Sequence, residues 1–103
     1  MEKLMKKEVF MNKKEFGEKL KNKQFEECIE ILRTELIEII TEKIKEKDSY
    51  FHYTTTKDLY NKSKKVLEQK YSKIAYELYC FDIMPEKEEY VLDVMFQMYK
   101  ELK

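Results

Sequence analysis

Between Gln24 and Lys47 the apolar residues keep a rhythm that only a helix satisfies. At about 100° per residue, Phe25, Cys28, Ile29, Leu32, Leu36, Ile39 and Ile40 fall within roughly 120° of one face. Ile31, Ile37 and Ile44 lie on the two flanks of that stripe, so this helix is expected to touch more than one neighbour. Little elsewhere interrupts helix formation. Glycine and proline occur once each, as Gly17 and Pro85, too sparsely for hairpins or glycine-rich phosphate loops. Lys, Glu, Leu and Ile meanwhile favour helix, and the expectation is an all-α fold.

The remaining segments fit the same plan. Asn12 followed by Glu15 matches a capping box opening a helix over 13–21, with Phe16 and Leu20 on one face. After the run Thr54, Thr55, Thr56, one of which is expected to cap, a third helix is predicted over 57–81, with Asp58 suiting its N-terminal dipole. Its stripe includes Leu59, Ser63, Leu67, Tyr71, Ile74 and Leu78, and past Lys73 the run IAYELYCF is apolar nearly all round. Pro85 with Glu86, Glu88 and Glu89 predicts a last helix over 86–102. Residues 1–11, with Leu4, Met5, Val9, Phe10 and Met11, form either a short extra helical turn or a frayed end. Together these give a single domain, 1–103, built as an antiparallel bundle of four main helices.

Charged residues make up 41% of the chain, but 43% is hydrophobic and 14% aromatic, so the chain is expected to fold rather than to be a disordered polyampholyte. Charge also sorts by segment. Residues 1–23 hold 8 basic and 4 acidic groups, 24–48 hold 4 and 8, 49–73 hold 6 and 2, and 74–103 hold 3 and 7. If consecutive helices adjoin, each meets an oppositely charged neighbour. No apolar run approaches membrane-spanning length, and MEKLMKKEVF scatters charge where a signal peptide is apolar, so a cytoplasmic protein is expected. Twenty lysines against one arginine, with abundant Ile, Tyr and Asn, point to an AT-rich bacterial genome.

Chemistry-bearing motifs are few. Cys28 and Cys80 lie inside apolar patterns and read as buried free thiols. No CxxC or HxxxH spacing offers a metal site, and no cofactor or catalytic residue is assigned. In SYFHYTTTKDL, residues 49–59, the only histidine sits among aromatics. Tyr50, His52 and Tyr53 are candidates for a ligand or nucleic-acid contact, since aromatic faces stack on bases. The reading preferred is structural: alternate aromatics turn inward and close the bundle end. Lys64 and Lys65, near Tyr60 and Tyr71, extend the nucleic-acid candidate or form an ordinary solvated face. Arg33 is expected to pair with Glu30 or enter an inter-helix groove, with anion recognition as its functional alternative. Leu92, Phe96 and Tyr99 form a second apolar face on the last helix, joined by Tyr76 and Tyr79. A homodimer, or another protein partner, would cover it.

The run QFEECIEILRTELIEIITEKI followed by SKIAYELYCFDIMPEKEEYVLDVM resembles the helix order of HEPN-type domains, small bacterial bundles of toxin–antitoxin and phage-defence systems. The resemblance covers residues 13–103. Ribonuclease members of that family carry an arginine followed four to six residues later by histidine near the junction of the last helices. The corresponding stretch here, Tyr79 to Pro85, has neither. The resemblance therefore implies a degenerate, non-catalytic member that binds a partner or dimerises. The expected function is an interaction module, homodimeric through its C-terminal helix, with a nucleic-acid-binding or ribonuclease-related protein as the alternative.

Overall fold

The computed structural model describes residues 13–22 and 24–102, which hold five α-helices: α1 Lys13–Lys21, α2 Phe25–Lys45, α3 Thr56–Val66, α4 Gln69–Ile83 and α5 Glu88–Leu102. No strand occurs among the described residues, as the scarcity of turn-forming residues implies. The expectations placed on Asn12 and on residues 1–11 lie outside the described residues. Pro85 stands in the connection ahead of α5 rather than in its first turn, and Glu88 and Glu89 occupy that turn.

The predicted third helix is two. Leu67 and Glu68 adopt extended backbone, with ψ of 165° and 155°, and the chain folds back there. Neither glycine nor proline marks the break, which is why periodicity alone read through it. What decides the break is packing. As one straight helix, Thr56 and Asp82 would stand about 39 Å apart at 1.5 Å per residue. In the folded hairpin the Thr56 hydroxyl donates to Asp82 Oδ2 at 2.7 Å, and the rings of Tyr60 and Tyr76 lie 5.2 Å apart. The fold-back brings the stripes of both halves, Leu59 on α3 and Ile74, Ala75 and Leu78 on α4, into a single core.

That core is centred on α2. Leu32, Leu36, Ile40 and Ile44 are fully enclosed, each contributing about 1.5–3 kcal/mol relative to exposure. Val91, Leu92, Met95 and Met98 of α5 complete it. Ile37 and Ile44, read as flank residues, are both buried, so α2 is wrapped on more than one side as its wide stripe predicts. The most extensive packing pairs α3 with α4 and α2 with α5. The second pairing runs against charge alternation, because it joins two acidic segments, although α2 also packs less extensively against the basic α1 and α3. Apolar burial of roughly 25 cal/mol per Å² outweighs the weak attraction of exposed charges. Opposite charges do meet locally, with Lys19 paired to Glu27 across α1 and α2, and Lys62 to Asp48 at 2.8 Å.

Candidate functional site

Arg33 does not pair with Glu30 but reaches across the groove between two helices, the other expected placement. Its Nη2 donates to Asp82 Oδ2 at 2.9 Å, joining the middle of α2 to the end of α4. The same carboxylate oxygen accepts the Thr56 hydroxyl. Burial, the largest single influence on the guanidinium, lowers its pKa, yet the hydrogen bond and charge of Asp82, with a smaller share from Tyr53, leave it raised overall. Arg33 and Tyr53 also line a groove with Thr34, Ile37, Glu38 and Thr41. Thr41 buries its hydroxyl oxygen there without a hydrogen-bond partner. The groove sets Arg33 and Lys45 against Glu38 and Glu42, and its arginine is already engaged by Asp82.

The three consecutive threonines divide the work at the start of α3. Thr55 is the cap, its hydroxyl accepting the Asp58 backbone N–H at 3.1 Å. Thr54 donates to the Asp58 carboxylate at 2.7 Å, and Thr56, buried, reaches Asp82. Asp48 fixes the loop's other end. It accepts the Tyr50 backbone N–H at 3.2 Å and the Lys62 ammonium, and these bonds hold its carboxylate below the ordinary range.

Between those anchors the aromatics alternate. Phe51 and Tyr53 pack against the core and close the bundle end, as the inward-turned reading requires. Tyr50 is 92% exposed and His52 is exposed beside it. They share a shallow depression of about 370 Å³ with Asn61, Lys62 and Lys65. Tyr50, His52 and Lys65 are thus brought together, whereas Tyr53 and Arg33 belong to the other groove. Lys64 is turned instead over the Tyr60 ring, 5.1 Å from its centroid.

The expected second apolar face of the last helix is turned largely into the protomer. Leu92 is 6% exposed, and Phe96 and Tyr99 are half-buried against the core, so Leu92 is a core residue rather than a surface one. Tyr79 is half-buried, and Tyr76 is 47% exposed. Exposed apolar surface gathers one element earlier. Ile83 and Met84, at the end of α4, are 57% and 65% exposed. Tyr90, 55% exposed, leans edge-on against Phe81 at 6.3 Å. The signal available in sequence was the apolar pair Ile83-Met84 immediately before Pro85, where a helix end normally turns polar.

Both cysteines are free, Cys28 buried and Cys80 half-buried. Burial pushes the Cys28 thiol up, away from nucleophile chemistry. Tyr76 stands one turn before Cys80, and the nearby thiol is the main influence that raises its phenol. Among the described residues, no group of three or more His, Cys, Asp or Glu side chains is placed to hold a metal ion, and no helix is long and apolar enough to cross a membrane. No family model, no curated protein and no solved structure matches the chain.

Proposed function

We propose that the protein is a non-catalytic interaction module that pairs with a second copy of itself through the outer face of α4. The observation that carries this is the exposed apolar surface of Tyr76, Ile83 and Met84 on and at the end of α4. At about 100° per residue, Tyr76, Cys80 and Ile83 fall within about 60° of one another, a continuous stripe with aromatic anchors of the kind interfaces favour.

Charge order along the helix favours a second copy as the occupant. Lys70 and Lys73 stand near the start of α4, Glu77 follows, and Glu86, Glu88 and Glu89 lie just beyond its end. Two α4 helices packed antiparallel about a two-fold axis set the basic start of each against the acidic end of the other, a self-complementary contact. This reading moves the expected dimer surface from α5 to α4. It agrees with what the HEPN-like resemblance implies, a member that binds a partner without cleaving RNA.

Cys80 lies within the stripe and Cys28 is buried, so a short bis-maleimide reports on this face alone. The expected result is a covalent dimer from the wild-type protein that is lost in Cys80→Ser, reduced in Lys73→Glu, and recovered when Lys73→Glu is combined with Glu86→Lys. A wild-type protein that reacts at Cys80 yet gives only singly labelled protomer would overturn the reading.

A further inference from the structure

An aromatic side chain left almost wholly in water is unusual when the chain has invested hydrogen bonds in placing it. Tyr50 is such a residue. It is 92% exposed, yet its backbone N–H is tied to Asp48, the next N–H, of Phe51, bonds the Asp48 carbonyl at 3.1 Å, and Asp48 is itself held by Lys62. The loop is anchored from both ends, and Phe51 and Tyr53 turn inward, so the outward positions of Tyr50 and His52 are set by the alternation rather than by slack.

The surface beside this ring is basic. At about 100° per residue, Lys57, Asn61, Lys64 and Lys65 fall within roughly 100° of one α3 face. All four are exposed, as is Lys47 at the loop's start. Of the acids nearby, Asp48 holds Lys62, while Asp58 accepts the Thr54 hydroxyl and its backbone N–H donates to Thr55. Lys57 and Lys65 therefore contribute charge that no hydrogen bond or ion pair among the described residues consumes.

From this juxtaposition we propose that Tyr50, His52, Lys57 and Lys65 form a binding site for single-stranded nucleic acid, with one base stacked on Tyr50 and the phosphates following the lysines along α3. A duplex does not fit the arrangement, because its bases are stacked on each other and present no free face to a tyrosine. An acidic peptide would meet the lysines but leave Tyr50 without a role. Lone, widely spaced lysines set a modest affinity. Phosphate contacts position the strand and carry no sequence preference. The site shares no residue with the α4 face, so it stands or falls independently of self-association.

Fluorescence anisotropy of labelled oligopyrimidine strands of about twelve nucleotides, in RNA and DNA form, tests the proposal at low salt. Binding is expected for a single strand, with a log–log salt slope of roughly −1.4, about −0.7 for each of the two lysines. Tyr50→Ala is expected to weaken it about tenfold, whereas Tyr50→Trp, which also stacks, retains it. Lys65→Gln is expected to lessen the slope by about 0.7. Equal affinity for the RNA and DNA strands supports stacking and phosphate contact alone, and a preference for RNA adds a 2′-hydroxyl contact to the same site. The proposal is overturned by absence of binding at low salt, by a Tyr50→Ala protein that binds as well as wild type, or by a duplex or polyglutamate that competes as strongly as the single strand.

Discussion

Arg33 and Asp82, 49 positions apart, meet at 2.9 Å, and because Thr56 shares the carboxylate they tie α2, α3 and α4 at one point. The two charged side chains are 27% and 36% exposed, which limits what Coulomb attraction contributes. Arg33→Met and Asp82→Asn are each expected to lower unfolding free energy by about 1 kcal/mol, with a coupling of about 0.5 kcal/mol in the double variant. Urea denaturation of the four proteins measures this; strictly additive losses would mean that the pair contributes nothing as a pair.

Thr55→Ala removes the α3 cap and is expected to cost about 1 kcal/mol, while Thr54→Ala, which touches only a carboxylate already at the helix start, costs less. Thr56→Val keeps the shape but strands one acceptor position on Asp82, and falls between them. Thermal unfolding of the three variants gives the order, and equal losses at all three positions would contradict the division of roles described above.

Phe96 is half-buried against the core, so Phe96→Asp is expected to destabilise the protomer by about 2 kcal/mol through loss of packing and burial of a charge. Chemical denaturation monitored by circular dichroism reads this directly. A variant as stable as wild type would place Phe96 on a free surface, as the second apolar face of the last helix suggested.

Asp48 gives a pH signature. Its carboxylate is held below the ordinary value of 3.8, first by the Lys62 hydrogen bond and then by the Tyr50 N–H. A depressed folded value means that the stabilisation is complete above the unfolded value and disappears as pH falls through the folded one. The stability gap between wild type and Asp48→Asn is therefore expected to be constant near neutrality and to close below pH 3.8. Urea midpoints of both proteins across the acid range check it; a gap that widens on acidification would reverse the sign.

Much of the fold was legible because helix periodicity is a local property. The α2 stripe from Phe25 to Ile40, the alternation of the loop aromatics and the presence of a threonine cap are legible in the sequence, but which aromatics turn inward is not: Tyr53, a candidate contact, packs against the core with Phe51. The break at Leu67-Glu68 was not legible. No residue there forbids a helix, and the gain comes from contacts such as Thr56 to Asp82 that exist only once the chain has folded back. The same cause hid the partner of Arg33, since an acid 49 positions away leaves no mark on a helical wheel. The apolar face of α5 was visible as a pattern, but a pattern does not say whether its own protomer covers it. Leu92 went inward, and the exposed surface fell to Ile83 and Met84 instead.

Light scattering over a dilution series, on the wild type and on Ile83→Asp, bears most directly on self-association through α4. The wild type is expected at twice the protomer mass of 12.8 kDa, dissociating on dilution, and Ile83→Asp at the single mass with its helix content unchanged. A wild type that stays at 12.8 kDa at every concentration, or an Ile83→Asp protein that remains a dimer, would contradict it.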